Sequence, residues 1–285
     1  MTEARGEAHY SRMSGRAGPV TSSPAPAGAR LLSDLSSAPV SVREVDVDAV
    51  WAIAGDPCAW EDAGLSPTER ARAMSAQAQS PTPRRRSQWL AGRIAVKDAA
   101  LDLLTARQPG RSSLCRQDVE LWAQRSGALG ISCIKDASDS SVLVSVSHSG
   151  TRALGVAVVA DDLASVGIDI EGHRSWAAVW RHGLGPDERT FLFREQQGSA
   201  RPLLARRIIG LWSAKEAAVK AWRTGFAAHG GPAAVRADYR GGRRVVVRPG
   251  GRMLDLPTVE ARVASGPEST MAVAVVSTRG NACTI

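Results

Sequence analysis

The chain has 285 residues, 44% of them hydrophobic, so it can bury a core in one large domain or in two small ones. Its formal net charge of +8 favours an anionic partner: a phosphorylated cofactor, an acidic protein or nucleic acid. No apolar run approaches the roughly 20 residues of a membrane span, and the first residues do not read as a secretory signal. The four cysteines lack C-x-x-C spacing, which indicates free thiols. We therefore expect a cytoplasmic protein that makes no membrane contact.

The first part of the chain differs in composition from the rest. Residues 1–37 are rich in Ala, Gly, Ser, Pro and Arg, and they lack periodic apolar positions. Such a segment buries too little apolar surface to offset the entropy that is lost on ordering. The sequence therefore predicts a disordered N-terminal extension over 1–37.

The remainder of the chain repeats itself. Four segments recur in the same order at offsets of 117 to 123 residues: 41–48 with 165–171, 64–70 with 183–189, 96–101 with 214–219, and 154–159 with 271–276. A period this long is not that of a solenoid. It predicts two similar halves, 38–162 and 163–278, that pack as a pseudo-dimer and are followed by a tail over 279–285.

The elements within the halves alternate between strands and helices. Alternating or apolar runs predict strands at 142–146, 153–159, 166–170, 243–248, 258–263 and 270–276. Pro186, followed by two acids, suits a helix start, and 203–223 is a longer helical stretch. The predicted class is α+β.

A basic group precedes the first of these strands. Arg86, Arg93 and Lys97 share one side of a predicted helix, close behind Arg84 and Arg85. Such a face is commonly just solvated, and it could also bind a phosphate.

The predicted strand 142–146 leads into S-H-S-G over 147–150. His148 between two hydroxyls could bind phosphate oxygens through its ring nitrogens and the neighbouring O–H groups. An ordinary turn histidine is the alternative. A serine nucleophile has no support from a G-x-S-x-G motif.

Two carboxylates follow on the next strand. Asp169 and Glu171 are two residues apart, so they share one face, while Val166, Ile168 and Ile170 mark the buried face. Hard oxygen ligands at this spacing suit Mg²⁺. An acidic strand end in solvent is the alternative.

The long helix carries a mixed face. Lys215 lies inside its apolar stripe, and Glu216 and Lys220 lie at the edge of that stripe, four residues apart. Glu216 and Lys220 could be a surface ion pair. They could instead border an anion site, with the lysines facing phosphate and Glu216 facing a metal.

Together these motifs resemble the 4'-phosphopantetheinyl transferases of the Sfp type, which activate surfactin-type peptide synthetases. The resemblance rests on W-L-A-G-R-I-A-V-K over 89–97, V-S-H-S over 146–149, V-G-I-D-I-E over 166–171 and W-S-A-K-E-A-A-V-K-A over 212–221. It extends over roughly residues 40–278. The resemblance implies a pseudo-dimeric fold with coenzyme A in the cleft between the halves.

The implied activity is that of a holo-[acyl-carrier-protein] synthase. Such enzymes use Mg²⁺ to transfer 4'-phosphopantetheine from coenzyme A to a serine of an apo acyl- or peptidyl-carrier protein, with 3',5'-ADP as the other product. The implied role is carrier activation for polyketide or nonribosomal peptide biosynthesis. Acidic carrier domains would be the partners, nucleic acid would not, and the chain would be a monomer.

The resemblance also implies residue roles. The metal ligands would be Asp169, Glu171 and Glu216. The catalytic residues would be Glu216 as general base, Asp169 and Lys220. The coenzyme A contacts would be Arg93 and Lys97 near the 3'-phosphate, and Ser147, His148, Lys215 and Lys220 near the phosphates.

One part of the family pattern is missing. A G-K-P or G-R-P motif is expected before S-H-S, but residues 130–136 read G-I-S-C-I-K-D. The adenine-side contact is therefore open, with Lys135 as a candidate substitute.

Two other functions stay open on the residues alone. One is a metal-dependent phosphotransferase or nuclease that acts on nucleic acid, although the chain has no helix-turn-helix or aromatic-basic RNA motif. The other is a coenzyme A-binding protein without catalysis, although all three acids are present.

Overall fold

A computed structural model describes residues 20–77, 82–107, 114–124, 126–133, 142–195 and 201–278. The helices are α1 Pro26–Ser33, α2 Trp51–Ala54, α3 Pro67–Gln77, α4 Pro83–Arg107, α5 Trp176–His182, α6 Pro186–Glu195 and α7 Arg201–Ala221. The strands are β1 Ser23–Pro24, β2 Val40–Asp46, β3 Val119–Ala123, β4 Leu129–Cys133, β5 Val142–Ser149, β6 Arg152–Val159, β7 Leu163–Gly172, β8 Arg236–Tyr239, β9 Arg244–Arg248, β10 Val259–Ser265 and β11 Ser269–Ser277. This mixture of helices and antiparallel strands is the predicted α+β class.

The strands form two main sheets and a hairpin. The first sheet has the order β1-β2-β6-β5, the second has the order β7-β11-β10-β9-β8, and β3 pairs with β4. Helix α4 packs on β2 and β6, and helix α7 packs on β7 and β11. The same order of elements therefore occurs twice: a strand, two shorter helices, a long helix and four strands, from β2 to β6 and again from β7 to β11.

The face of β7 that meets α7 is set by its odd-numbered residues. Ser165 donates a hydrogen bond to the carbonyl of Ala221, and Asp169 contacts Lys220. Gly167 lies so close to α7 that a Cβ on it would sit 1.9 Å from the Ala217 oxygen. Asp169 and Glu171 thus point to the α7 side.

The matching face of β2 carries no acid. Ser41 and Arg43 hydrogen-bond to Asp102 on α4, so Val45 and then Val47 are the next residues on the α4 side, both buried. The repeat of 41–48 with 165–171 matches Asp46 with Asp169 by letter, and that match is wrong. Arg43 lies opposite Gly155 and Asp169 lies opposite Ala272, and Gly155 and Ala272 are equivalent in the repeat of 154–159 with 271–276. The counterparts of Asp169 and Glu171 are therefore Arg43 and Val45, whereas Asp46 points to the opposite face of its strand.

The two sheets meet edge to edge through serine hydroxyls. The Ser145, Ser147 and Ser149 hydroxyls accept hydrogen bonds from the backbone N–H groups of Ile168, Ile170 and Gly172. The constant spacing shows that β5 and β7 run side by side in the same direction. This contact places Ser147 next to Asp169.

Residues 20–37 are folded, which corrects the predicted extension over 1–37. Strand β1 pairs with β2, and α1 buries Leu31 and Leu32 completely. These leucines share a core cluster with Val156 of the first half and Ile168 of the second. Two adjacent leucines do not reveal a period by themselves, and Pro26 at the first turn was the available signal for the helix. Residues 1–19 and the tail 279–285 lie outside the described residues.

Over the described ranges, no helix is both long enough and apolar enough to traverse a lipid bilayer.

Candidate active site

A cavity of about 320 Å³ lies where the two halves meet. Strands β5 and β7 and helix α7 each contribute to its wall. The lining residues are Val146, Ser147, His148, Asp169, Glu171, Trp212, Glu216 and Lys220. Six polar residues that the sequence singled out on three separate motifs are therefore brought together.

Asp169 is the most buried acid of the cavity, with 4% of its surface exposed. Its Oδ1 accepts hydrogen bonds from the Ser147 hydroxyl at 2.8 Å and from the Lys220 ammonium at 2.9 Å. Its Oδ2 is buried and has no hydrogen-bond partner among the described residues. A buried carboxylate oxygen without a partner is costly, so this atom marks a place for a cation or a donor.

The ammonium group of Lys220 is the positive charge in the lining of this cavity. It also donates to the carbonyl of Ile168 at 3.0 Å, so two contacts to β7 fix its position. The side chain remains 28% exposed. Its ammonium can therefore contact a ligand while it keeps both hydrogen bonds to β7.

Glu216 carries a strongly perturbed carboxyl group. Burial raises its pKa to about 7, the negative charges of Asp169 and Glu171 add to the effect, and Lys220 opposes it. The three acids thus crowd one cavity with more negative charge than Lys220 offsets. A carboxyl with this pKa can take up a proton near neutral pH.

His148 is held neutral. Burial lowers its pKa first, the positive charges of Lys220 and Arg85 lower it further, and Asp169 acts in the opposite sense. A neutral imidazole can both donate and accept a hydrogen bond at the cavity wall.

The acids fit a magnesium ion by their chemistry. Three carboxylates and an orphaned buried oxygen form the hard oxygen set that Mg²⁺ prefers. Within the described part of the chain, however, no group of three or more His, Cys, Asp or Glu side chains is arranged to hold a metal. The carboxylates share the cavity without converging, and Lys220 occupies one oxygen of Asp169.

Lys215 does not reach this cavity, which corrects its predicted phosphate contact. It is completely buried, and its ammonium donates to Glu188 at 2.6 Å and to the carbonyls of Gly183 and Pro232. All three of its protons are thereby used. The position of Lys215 inside the apolar stripe was the available signal, and it indicated the core rather than the cofactor.

Arg93 and Lys97 are also removed from the cavity. Lys97 is fully buried and bonds to Glu69 and to the carbonyls of Gly64 and Arg116. The Arg93 guanidinium bonds to Glu69 at 3.1 Å and lies 4.4 Å from the centre of the Trp89 ring. The predicted role of both residues near the 3'-phosphate is not supported by these positions.

The two buried lysine–glutamate pairs share the same backbone donors, and Glu69 has Arg93 as an additional cation. Glu69 accepts from the backbone N–H groups of Ser66 and Leu121. Glu188 accepts from the backbone N–H groups of Gly185 and Ala237, with equivalent positions in the second half. In each half the pair ties the long helix to the preceding loop and to the next strand.

A second cavity of about 710 Å³ adjoins the first. Val146 and Lys220 line both cavities. The second is bounded by the β3–β4 hairpin, by β5, and by residues that the sequence did not single out, among them Trp122, Arg223 and Thr224.

The hairpin also locates the missing family motif. Its turn glycine is Gly127, with φ at +85°, while Gly130 lies within β4. Ala128 and Leu129 follow Gly127, so neither the cation nor the proline of G-K/R-P is present at the turn. Lys135, the predicted substitute, lies outside the described residues.

Comparison with known proteins supports the reading of the second half. No curated protein matches the chain. The family model of the 4'-phosphopantetheinyl transferase superfamily matches residues 165–261, about a third of the chain. The matched segment contains Asp169, Glu171, Glu216 and Lys220, the residues that β7 and α7 bring to the cavity. The segment that carries the acids is thus similar to the 4'-phosphopantetheinyl transferase superfamily.

Proposed function

We propose that this protein transfers 4'-phosphopantetheine from coenzyme A to a serine of an apo carrier protein and releases 3',5'-ADP. The observation that carries the proposal is the buried, unpartnered Oδ2 of Asp169, in a cavity shared with two further carboxylates and Lys220. The family match over the same residues gives the reaction class.

Asp169, Glu171 and Glu216 would hold a magnesium ion, which when bound offsets the charge of the coenzyme A pyrophosphate. The unpartnered oxygen of Asp169 and the raised pKa of Glu216 support this part of the proposal, because both indicate excess negative charge in the cavity.

The chain's own donors bind and orient the phosphates. Lys220 is anchored to β7 and partly exposed, so its ammonium can stabilise charge on the leaving 3',5'-ADP. His148, held neutral, offers a further donor in the cavity lining, whereas Ser147 spends its hydroxyl proton on Asp169 and so orients that carboxylate. Such positioning lowers the barrier by fixing the pyrophosphate relative to the attacking group.

Glu216 is the proton acceptor in this proposal. Its carboxylate takes the proton of the carrier serine as the serine oxygen bonds to the phosphorus of the pantetheine-bearing phosphate. The bond from that phosphorus to the oxygen of 3',5'-ADP breaks, and the electron pair leaves with the nucleotide. In the metal-free cavity burial raises the pKa of this carboxyl to about 7, and a bound cation would lower it, which keeps the group ionised as a base.

The matched halves suggest an internal duplication that forms the cleft within one chain, so we propose a monomeric pseudo-dimer. The net charge of +8 favours an acidic carrier domain as the partner. A cytoplasmic location is part of the same proposal.

A carrier-modification assay tests the proposal. Purified protein, coenzyme A and a panel of apo fatty-acid, polyketide and peptide carriers are incubated with Mg²⁺ or with a chelator, and intact carrier mass is measured. We expect addition of one phosphopantetheine group in the presence of Mg²⁺ only. Coenzyme A binding without modification of any carrier would identify a binding protein, and cleavage of a nucleic acid would identify the nuclease alternative.

A further inference from the structure

The larger cavity contains an aromatic side chain that the proposed chemistry leaves unused. Trp122 lies on β3, directly opposite Gly130 on β4. A Cβ on Gly130 would meet the Trp122 indole at 2.3 Å, so the ring lies against the glycine backbone. Both residues line the cavity of about 710 Å³. Glycine at this position therefore lets the indole lie flat along the cavity wall.

The cavity suits a charged, partly flat ligand. Its volume is within the range of small-molecule and cofactor sites. The charged side chains on its described lining are the cations Lys220 and Arg223. Arg223 has φ at +56°, which is uncommon for a residue other than glycine, and its guanidinium bonds to the carbonyl of Ala164. The positive charges at this end of the cavity thus favour an anionic ligand.

The two cavities adjoin, so one ligand could extend through both. Because Val146 and Lys220 line both, a molecule whose phosphates lie by Asp169 and Lys220 extends from there into the larger cavity. Of the two ends of coenzyme A, the flat purine gains from an aromatic surface, whereas the flexible pantetheine arm does not.

We propose that Trp122 is the stacking surface for the adenine ring of coenzyme A. The contact takes the place of the G-K/R-P turn, which reads Gly127-Ala128-Leu129 in this chain. The proposal rests on the proposed function, because it assumes that the phosphates bind at the acid site.

Separate binding measurements with two parts of coenzyme A, 3',5'-ADP and 4'-phosphopantetheine, test whether Trp122 contacts the adenine or the pantetheine arm. Calorimetry measures 3',5'-ADP and, separately, 4'-phosphopantetheine on wild type, Trp122→Leu and Trp122→Phe. Trp51→Leu is the matched control, since Trp51 is 48% exposed and lines neither cavity. Thermal melts confirm that each variant is folded.

Loss of stacking should weaken 3',5'-ADP binding by about tenfold or more in Trp122→Leu. Trp122→Phe should stay within about threefold, because phenylalanine keeps an aromatic face. Trp51→Leu should match wild type, and 4'-phosphopantetheine should bind all four proteins equally. Quenching of tryptophan emission by 3',5'-ADP should shrink in Trp122→Phe.

Unchanged 3',5'-ADP affinity in Trp122→Leu would overturn the proposal, and so would a selective loss of 4'-phosphopantetheine affinity, which would place the arm in this cavity. If wild type still modifies a carrier in either case, only the stacking role fails. If wild type neither binds 3',5'-ADP nor modifies a carrier, the proposed function fails together with it.

Discussion

The two halves of the molecule share a scaffold and differ in chemistry. Lys97 in the first half and Lys215 in the second are both buried against a glutamate and two backbone carbonyls. On the strand that packs against each long helix, the first half has Arg43 and Val45 where the second half has the acids Asp169 and Glu171. Each half therefore has a buried lysine–glutamate pair that stabilises the fold, whereas only the second half contributes acids to the cavity.

The long helices show the same contrast. In the first half, the residues that correspond to Glu216 and Lys220 are Asp98 and Asp102. Asp98 forms two hydrogen bonds with Arg116, and Asp102 forms two with Arg43. Every one of these contacts lies within the first half, so its acids are neutralised there. The corresponding face of α7 opens onto the cavity.

The largest expected effect is on the acid that distinguishes the halves. Asp169→Asn keeps the shape of the side chain but removes the charge that a metal and Lys220 both use. Turnover should fall by about 10³ or more, because electrostatic stabilisation of the transferred group is lost. The matched control is Asp46→Asn, the residue that sequence alignment pairs with Asp169. Near-normal turnover of Asp169→Asn in saturating Mg²⁺, or an equal loss in Asp46→Asn, would contradict the assignment of the chemistry to the second half.

The buried pairs should matter for stability in both halves. Lys215→Met leaves the buried Glu188 without a cation, which costs about 3–5 kcal/mol. Lys97→Met leaves Glu69 with Arg93 as its remaining cation, so its loss should be smaller. Denaturant unfolding measures the free energy of unfolding of both variants. Adding Glu188→Gln to Lys215→Met should restore part of the loss. A stable Lys215→Met with weakened coenzyme A binding would return this lysine to the phosphate site.

Helix α1 should stabilise the junction between the halves. Leu31 packs between core residues of both, so Leu31→Ala should cost about 2–5 kcal/mol of unfolding free energy. Ser33→Ala, at an exposed position of the same helix, is the control. Removal of residues 20–37 without a change in melting temperature would show that the segment does not hold the halves together.

Glu216→Gln should separate binding from chemistry. We expect coenzyme A affinity within about tenfold of wild type, and turnover lower by about 10². If calorimetry and the carrier assay both show no change, Glu216 takes no part in coenzyme A binding or in the transfer.

A smaller effect of Glu216 follows from its raised pKa. In the metal-free protein the pKa of Glu216 in the folded state is about 7, against an ordinary value of 4.5. Its contribution to the free energy of unfolding is therefore fully present below pH 4.5. It is lost as the pH rises through about 7. In chelator, Glu216→Gln should therefore melt at the same temperature as wild type below about pH 4.5 and higher than wild type above about pH 7. Identical pH profiles would contradict the charge crowding in the cavity.

Sequence reasoning identified the residues that share the acid cavity and missed part of what supports them. The alternation around Asp169 and the spacing of Glu216 and Lys220 are local patterns, and local periodicity is enough to place them on one face. The error at Asp46 arose because a resemblance in letters does not reveal which face of a strand packs on a helix.

The buried lysines were misread for a different reason. A lysine in an apolar stripe usually extends to solvent, and only the three-dimensional fold brings Glu188 and two carbonyls to Lys215. The same holds for Trp122, whose position over Gly130 depends on the register of the β3–β4 hairpin.

Manganese binding, followed by electron paramagnetic resonance in the presence of coenzyme A, tests the central claim most directly. Mn²⁺ prefers the same oxygen ligands as Mg²⁺. If only the second half carries the chemistry, the chain should bind one coenzyme-dependent ion, lose it in Asp169→Asn and retain it in Asp46→Asn. Two equivalent ions per chain, or an ion that survives Asp169→Asn, would contradict the account.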